Sequence, residues 1–417
     1  MLEKKPVIKI NPTNIILALA LIIFVFGSGY KVGEYVQLKN LNYSLSQQAK
    51  NLDFSLFWEA WNKLENKYID KSKLDTKKMY YGAIKGMVAA VEDPYTFFLS
   101  PEENKQSKDD LGGKFDGIGA QLGLKDNQVV IISPLRNSPA EKVGLKAGDI
   151  IVKVDDKEIK GLSLTQVVSQ IRGKRGTTVK LKILRNSQAL DFTITRDQII
   201  VPPVELSLEK PLNCQKDCYQ VAYLKLNQFG DNTNTQWDQA VATIKKQWEA
   251  EQIKGLVLDL RSNPGGYLES SVYLAGEFLP MGKVVVKQQS TVLENKDYVV
   301  NRKGQLQDIP LAILIDQGSA SAAEILAGAL KDYKRASLIG EKTFGKGSVQ
   351  EPLDLKDGAG LHITVAKWIL PNGNWINGKG IEADIKVKNV IKDGNTLTRE
   401  TDLQLEKAIE TLGTKTN

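Results

Sequence analysis

The stretch LAILIDQGSASAAE, residues 311–324, joins an apolar run to a loop of small residues and the start of an alanine-rich segment. The apolar run predicts a strand over 311–315 that is buried on both faces, and the segment after the loop predicts a helix over 322–333. The same order of strand, glycine turn and helix begins at GLVLDLRSNPGGYL, residues 255–268. Loops after the carboxyl ends of such strands are the usual ligand sites, so the chain beyond Ile199 is predicted to be α/β.

The whole chain has the composition of a globular protein. It is 417 residues long, 42% hydrophobic and 25% charged, which allows two or three domains and excludes wholesale disorder. The formal net charge of +7 arises from 56 basic and 49 acidic residues spread along the sequence. Because no basic block is dense, the charge indicates a solvated mixed surface and no nucleic-acid partner.

The N-terminus predicts a membrane segment. Three lysines, the last of them Lys9, precede an uncharged stretch over 10–30 whose apolar run, 15–26, is about long enough for a tilted transmembrane helix. Residues 1–32 are therefore expected to form a cytoplasmic tip and an anchor, with the body of the protein outside the cytoplasm. A cleaved signal peptide is the alternative and would give a secreted or periplasmic protein.

Residues 33–112 are predicted to form a helical region. Aromatic side chains at helical spacing indicate a core face, and they are Phe54, Phe57, Trp58 and Trp61. A second helix is predicted over 81–91, and the turn-forming sequence Asp93-Pro94-Tyr95-Thr96 follows it. The charged, glycine-bearing stretch 105–114 is predicted to be a linker.

Short strand patterns and turns mark residues 113–197. Helices are predicted at 138–145 and 164–171, and residues 178–184 alternate apolar and basic side chains as a half-buried strand does. The pattern predicts a small β-rich module with two helices.

The two cysteines, Cys214 and Cys218, lie close together in the sequence. A metal site would need further cysteine or histidine ligands, and the chain has a single histidine, His362. In an exported chain a local disulfide is therefore the expected outcome.

The single histidine also limits how a serine could be activated. A Ser-His hydrolase would have to use His362, whose setting is typical of an ordinary strand. The other way to activate a serine is with a lysine that burial keeps neutral. Lys346 suits this role because it lies between two glycines in an uncharged turn. Ser319 and Ser321 both lie where a helix dipole favours developing negative charge. The spacing does not choose between them, and Ser321 with Glu324 also fits a helix capping box.

Further groups could complete such a site. The N–H of Ala322 would face the oxygen of a tetrahedral intermediate, and the flexible turn 264–266 could bring a second amide close. Gln350 follows Lys346 closely in the sequence, so its side chain could orient the amine of the lysine.

Several motifs strongly resemble the C-terminal processing peptidases, also called tail-specific proteases. They are RSNPGG (261–266), GSASAAEILAGAL (318–330) with Asp332-Tyr333, GEKTFGKG (340–347), and Asn372-Gly373 through Gly380-Ile381-Glu382. The motifs are long and specific, and the resemblance runs from about Trp58 to the C-terminus.

By position, this resemblance implies roles for individual residues. Ser321 would be the nucleophile, Lys346 the general base and Gln350 the residue that supports the lysine. Asp332 matches an acidic position that affects activity or structure. The oxyanion hole would be formed by Ala322 with Gly265 or Gly266. No metal, nucleotide or other cofactor is implied.

The β-rich module resembles a PDZ domain of the circularly permuted bacterial kind. Its loop Gly117-Ile118-Gly119-Ala120 would bind the terminal carboxylate of a substrate through backbone N–H groups, with the peptide added as a strand. In several relatives this module gates the protease, and an arginine couples it to the catalytic lysine. Arg185 is the candidate here, and its nearby competitors are Arg172, Arg175 and Arg196.

Together, the residues and the resemblance predict a multidomain α+β protein. Its parts would be a transmembrane anchor or signal (1–32), a helical N-terminal region (33–112), a permuted PDZ domain (113–197), an α/β serine protease core (198–395) and a C-terminal helix (396–417). It would be an exported serine endopeptidase that cuts proteins near flexible, apolar C-terminal tails, with the PDZ domain recognising the tail and gating activity. A catalytically silent PDZ adaptor is the alternative. Relatives commonly assemble through their N- and C-terminal helices, and the sequence leaves open whether this chain forms a homo-oligomer.

Overall fold

The computed structural model describes most of the chain beyond its N-terminal segment. The described residues are 52–125, 128–135, 138–146, 148–162, 164–214, 218–389 and 397–413. The chain divides into two compact units, 1–80 and 81–417. The predicted membrane segment lies outside the described residues. Among the residues that are described, no helix is both long and apolar enough to cross a bilayer.

The first unit contains helix α1 (Ser55–Lys67), a 3₁₀ turn (Lys71–Lys73) and the start of helix α2 (Thr76–Ala89). No side chain of α1 is buried, and Trp58 is 56% exposed. The rings of Phe57 and Trp58 pack on each other, with centroids 5.0 Å apart. The prediction that these aromatics form a core face was wrong, because their side chains are exposed or only half-buried.

A turn, strand β1 (Phe97–Leu99) and helix α3 (Pro101–Leu111) come next. Ser100 caps α3, since its hydroxyl accepts the Glu103 N–H and the Glu103 carboxylate accepts the Ser100 N–H. The prediction of a linker over 105–114 was therefore wrong for most of that stretch. The overlooked signal is the capping box with a proline at the first helical position.

A β-rich module follows. Its elements are β2 (Lys114–Gly117), β3 (Ala120–Lys125), β4 (Gln128–Pro134), α4 (Pro139–Lys142), β5 (Ile150–Val154), β6 (Lys157–Glu158), α5 (Leu164–Ile171), β7 (Thr178–Arg185), β8 (Gln188–Thr195) and β9 (Asp197–Ile200). One sheet has the order β3-β4-β5-β7-β8 with β6 beside β5, and β2 pairs with β9. The predicted helix 164–171 and strand 178–184 are confirmed.

The rest of the chain forms a larger α/β domain. Its elements are β10 (Val204–Glu209), β11 (Val221–Leu226), α6 (Thr233–Glu249), β12 (Leu256–Asp259), α7 (Leu268–Ala275), β13 (Val284–Gln289), β14 (Lys296–Val299), β15 (Leu311–Ile315), α8 (Ala322–Asp332), β16 (Ser337–Gly340), β17 (Ser348–Asp354), β18 (Gly360–Ile369), β19 (Ile385–Lys386) and α9 (Leu403–Gly413). The central sheet has the order β10-β11-β12-β15-β16-β19, and only β10 is antiparallel to its neighbour. Helices α6, α7 and α8 cover one face and α9 covers the other. Every residue of β12 and β15 is buried, as the apolar runs predict.

A second sheet of this domain includes β1, which precedes the β-rich module in the chain. Its order is β1-β18-β13-β14, with β17 also paired with β18. Phe97 of β1 lies opposite His362 of β18. The turn 93–96, which precedes β1, is thereby brought to the edge of the protease domain.

The C-terminal helix is held to the central sheet by a buried ionic cluster. The guanidinium of Arg261 binds the carboxylates of Asp259 and Asp402 at 2.6 and 2.8 Å. Arg261 lies two residues after the end of β12, and Asp402 directly precedes α9. The predicted disulfide between Cys214 and Cys218, in the connection from β10 to β11, is confirmed.

Asp402→Ala is expected to lower the free energy of unfolding by about 3 kcal/mol at pH 7, because it removes one partner of a buried guanidinium. Burial opposes ionisation of Asp402, but Arg261 outweighs this effect and holds the carboxyl pKa below its usual value. The stabilisation is therefore present above about pH 4 and is lost as the pH falls through the lower pKa of the folded state. Urea unfolding of the full-length chain at pH 7 and pH 3 measures both effects.

The control is Asp354→Asn, which removes the charge of an ion pair with Lys108 whose two side chains are both exposed and keeps an oxygen acceptor for the Asn104 side chain. Such a pair contributes little to stability. Equal losses in the two variants would contradict the assigned role of Asp402.

Candidate active site

Ser321 lies in the loop between β15 and α8, directly before the first helical residue, Ala322. Its backbone has φ +53° and ψ −117°, a conformation that a residue other than glycine adopts only when its surroundings impose it. Among the described residues, the Ala322 N–H has no hydrogen-bond partner. A hydroxyl and a free N–H thus stand together at a helix N-terminus, where the dipole favours negative charge.

Ser319 has a different environment from Ser321. It is fully buried; its hydroxyl donates to the carbonyl oxygen of Leu260 at 2.8 Å and accepts the Asp316 N–H at 3.0 Å. The Ser319 hydroxyl therefore joins the ends of β12 and β15. Its hydrogen-bonding capacity is used in the fold, whereas Ser321 is only half-buried.

The carboxylate of Glu324 joins the serine loop to the lysine turn. It is fully buried and accepts the backbone N–H groups of Ser321 and Lys346, both at 3.0 Å. It also accepts the Gly345 N–H at 2.7 Å and the Thr343 hydroxyl at 2.5 Å. Burial raises the pKa of this carboxyl group, and the four hydrogen bonds oppose the rise.

The side chain of Lys346 is half-buried, and burial lowers the pKa of its amine. The carboxylates of Asp93 and Glu324 act against this shift. The amine nitrogen lies over the ring of Tyr95, 5.1 Å from the ring centroid. The net decrease in pKa enlarges the fraction of neutral amine, which is the form that can accept a proton.

The glycine turn after β12 lies against Ser321. A β-carbon on Gly265 would stand 2.7 Å from the β-carbon of Ser321 and 2.9 Å from the nitrogen of Ala322, so the approach requires glycine. The Gly265 N–H is donated to the side chain of Asn263 at 2.9 Å. The Gly266 N–H has no hydrogen-bond partner within the described ranges. Of the two predicted glycines, Gly266 is therefore the one with a free amide.

Gln350 lies on β17 and contacts hydroxyl groups. Its side-chain N–H groups donate to Ser348 at 2.8 Å and to Thr364 at 3.1 Å. Its role in supporting Lys346 stays a prediction.

Asp332 ends α8, a helix length of roughly 16 Å from Ser321. Its carboxylate accepts the backbone and side-chain N–H groups of Asn372 at 3.1 and 2.7 Å. These bonds hold the turn after β18, which gives Asp332 a structural role in this part of the fold.

His362 lies on β18, with its ring stacked on that of Phe97 at a centroid distance of 4.7 Å. Throughout the described part of the chain, no hydrogen bond joins His362 to Ser321. The contacts of His362 therefore give no support to a Ser-His hydrolase.

The β-rich module contains a cavity of about 200 Å³ beside the predicted carboxylate-binding loop. Its lining residues are Phe115, Gly117, Ile118, Gly119, Ala120, Leu122, Val168, Ile171 and Arg172. The backbone N–H groups of Ile118 and Gly119 have no hydrogen-bond partner in the described structure. Gly119 has φ +72°, and a β-carbon there would lie 2.4 Å from that of Ser138, so the loop requires glycine at this position.

The two arginines differ in their relation to this cavity. Arg172 lines it, pairs with Asp110 of α3 at 2.9 Å and lies over the Phe115 ring at 4.8 Å. Arg185, the predicted regulatory residue, pairs with the buried Asp149 at 2.7 Å and is not among the residues that line the cavity. Both residues are arginines with the same charge, so the sequence alone does not show which of them lines the cavity.

Sequence reasoning missed two contributions to the site. Asp93 and Tyr95 approach Lys346, although their D-P-Y-T sequence was interpreted only as a turn. Glu324 connects two loops, although S-x-x-E was interpreted only as a helix cap. In both cases the local pattern was visible, but the distant partner was not.

Comparison with known proteins gives three family matches. The model of peptidase family S41 matches residues 220–387, and a PDZ domain model matches residues 117–195. The N-terminal domain of the activating protease CtpB matches residues 24–103. These matches follow the order of the predicted regions.

Individual relatives agree with these matches. The chain is 37% identical over 357 residues to a probable CtpA-like serine protease of Staphylococcus haemolyticus, covering 85% of this chain and 68% of that protein. It is 36% identical over 335 residues to the carboxy-terminal processing protease CtpB of Bacillus subtilis, covering 79% and 67% respectively.

A solved structure, the photosystem II D1 C-terminal processing protease, is 32% identical with a TM-score of 0.55, covering 86% of this chain and 97% of that one. The described fold and the similarity to these proteins agree over both the PDZ domain and the α/β core. The chain therefore belongs to the carboxy-terminal processing proteases of peptidase family S41, which are serine-type peptidases.

Proposed function

We propose that this protein cleaves peptide bonds near the C-terminus of protein substrates with a Ser321–Lys346 dyad. The observation that carries the proposal is the Glu324 carboxylate, which accepts the N–H groups of both residues at 3.0 Å and keeps their loops adjacent. The half-buried position of Lys346 supports a neutral amine. The engagement of the Ser319 hydroxyl with Leu260 supports Ser321 as the nucleophile.

The reaction would begin with attack of the Ser321 oxygen on the carbonyl carbon of the substrate. A C–O bond forms while the hydroxyl proton passes to the neutral amine of Lys346. The resulting ammonium then gives this proton to the departing amine as the C–N bond breaks. A water molecule would release the product by attacking the ester in the same manner.

The negative oxygen of the tetrahedral intermediate would be bound by the N–H groups of Ala322 and Gly266. Both are free of partners in the described structure, and one stands at the N-terminus of α8. Fixed amides of this kind stabilise the charge that develops in the transition state. Gln350, held by Ser348 and Thr364, would help to orient the lysine.

Ser321→Ala and Lys346→Ala are each expected to reduce cleavage of a disordered protein with an apolar C-terminal tail by about 10³-fold or more. The first removes the nucleophile and the second removes the base. Cleavage by the full-length chain is followed by gel electrophoresis and mass spectrometry of the products, with folding checked by circular dichroism.

Ser319→Ala and His362→Ala serve as matched controls and are expected to retain cleavage. Loss of activity in the Ser319 variant alone would move the nucleophile to that residue. Binding of the tail without any cleavage by the wild type would favour the PDZ adaptor.

Gly266→Ala is expected to lower kcat by about 10²-fold, the cost of losing one oxyanion donor. A β-carbon at this position would lie 2.1 Å from the carbonyl oxygen of Phe229, so the turn must shift. Gly282→Ala is the matched control, because Gly282 also has positive φ (+81°) but has no atom within 4 Å. Steady-state kinetics that changed equally in both variants would contradict the oxyanion role.

The PDZ domain would bind the C-terminal carboxylate of the substrate in its cavity. The free N–H groups of Ile118 and Gly119 suit a carboxylate, and Val168 and Ile171 supply apolar walls. Arg172 adds a positive charge and also pairs with Asp110 of α3. We infer that tail binding regulates the protease through this arginine in preference to Arg185.

Arg172→Ala is expected to raise KM about tenfold for a substrate with an apolar tail, because a charge-assisted contact is lost. A substrate whose tail is removed should be cleaved equally by the variant and the wild type. Arg185→Ala is the comparison: if it alone abolishes the preference for the tail, the sequence-based choice of Arg185 is right.

The location of the protein is also a proposal. The N-terminal segment would tether the protein to a membrane with its catalytic part outside the cytoplasm. The disulfide between Cys214 and Cys218 supports an oxidising compartment. Assembly into a homo-oligomer is compatible with this arrangement.

A further inference from the structure

The turn Asp93–Thr96 has no role in the reaction described above, yet it lies beside the proposed base. It precedes β1, which pairs with β18 so that Phe97 is opposite His362. Lys346 lies shortly before β17, which pairs with the other side of β18. The sheet therefore brings together segments that are far apart in the chain.

Hydrogen bonds fix this turn to the strands around Lys346. The Asp93 carboxylate accepts the Tyr95 N–H at 3.1 Å and the Thr96 hydroxyl at 2.7 Å. The Thr96 oxygen accepts the backbone N–H of Thr364 at 3.0 Å. The Thr364 side chain accepts an N–H of Gln350, so the turn and the strand after the lysine are held by one series of bonds.

The charged and titratable groups around Lys346 come from three elements. Asp93 lies on the turn, Glu324 on α8 and His362 on β18, and each interacts electrostatically with the amine. Glu324 is committed to four hydrogen bonds within the fold. Burial lowers the pKa of His362, and the positive charge of Lys346 lowers it further, so a charged Lys346 disfavours the imidazolium form of His362.

Asp93 is the carboxyl group near Lys346 whose pKa is lowered. Burial opposes its ionisation, but the hydroxyl groups of Thr364 and Thr96, the Tyr95 N–H and the charge of Lys346 outweigh this effect and lower the pKa of Asp93. The face of the Tyr95 ring adds a second attraction for a cation at 5.1 Å. Both features favour the ammonium form of Lys346.

We propose that Asp93 and Tyr95 are positioning residues for Lys346 and stabilise the ammonium that forms when it takes the Ser321 proton. This inference rests on the proposed dyad. The proton moves from the serine oxygen to the amine nitrogen, and no other bond of the lysine changes. A negative charge and an aromatic face beside that nitrogen stabilise the charge-separated transition state more than the neutral ground state, which increases kcat.

Asp93→Asn is expected to have two effects, because it keeps an acceptor for the turn but removes the charge. The acidic limb of the profile of kcat/KM against pH should move about one pH unit lower, since the ammonium is less stable. The value of kcat on the alkaline plateau should fall about tenfold. A purely structural role would lower activity without moving the limb.

Tyr95 provides a second variant pair in case Asp93→Asn disturbs folding. Tyr95→Leu removes the ring and should lower kcat, whereas Tyr95→Phe keeps the aromatic face and should retain most of the activity. Asp354→Asn, an exposed carboxylate on β17 that pairs with Lys108, is the charge-matched control and should leave the limb in place.

A direct titration separates this inference from the proposed function. In the full-length Ser321→Ala chain labelled with ¹⁵N-lysine, NMR should detect Lys346 titrating about one pH unit lower when Asp93→Asn is added. Unchanged titration and an unmoved kinetic limb would overturn the inference while the dyad still stood. Full cleavage by Lys346→Ala would instead overturn the dyad itself, and with it the role of Asp93 and Tyr95.

Discussion

The buried carboxylate of Glu324 is the interaction on which the arrangement of the active site depends. A carboxylate without solvent is costly unless hydrogen-bond donors surround it, and this one has four, two of them the backbone amides of Ser321 and Lys346. The Ser321 amide lies in the loop between β15 and α8, whereas the Lys346 amide lies in the loop between β16 and β17. If the carboxylate were removed, several buried N–H groups would lose their acceptor together. The position of the lysine turn relative to the serine is therefore set by the same group that caps α8.

Local patterns were sufficient for much of the fold, because their signals are contained in short stretches. The apolar run of β15 and the alternation of β7 predicted strands at the observed positions, and the spacing in 164–171 predicted α5. The prediction of a linker over 105–114 was wrong because it gave the charged residues more weight than the Ser100–Glu103 capping box. The prediction that the aromatic side chains of α1 form a core face was wrong for another reason. Periodicity states which side chains share a face, but it does not state whether anything covers that face.

The candidate site was predictable only in part. The choice of Ser321 came from the family resemblance, and the structure adds a physical distinction, since the Ser319 hydroxyl is bonded to Leu260. Gly265 and Gly266 are distinguished by the side chain of Asn263, which accepts the Gly265 N–H, and no spacing rule contains this contact. The approach of Tyr95 to Lys346 depends on pairing between β1 and β18, which are distant in sequence. Such contacts arise from sheet topology, which short patterns do not specify.

That topology has a mechanical consequence for the segment 93–111. Its first turn is bonded to Thr364 beside the lysine, and its last residues reach the PDZ cavity, where Asp110 pairs with Arg172. Between these ends α3 is a capped helix of 11 residues, roughly 16 Å long, which transmits displacement better than a flexible linker does. Under the proposed function, α3 would link changes at the Asp110–Arg172 pair to the turn beside the proposed base. Under the proposed function, a peptide that alters the environment of Arg172 would reach the lysine through α3, β1 and the turn before it.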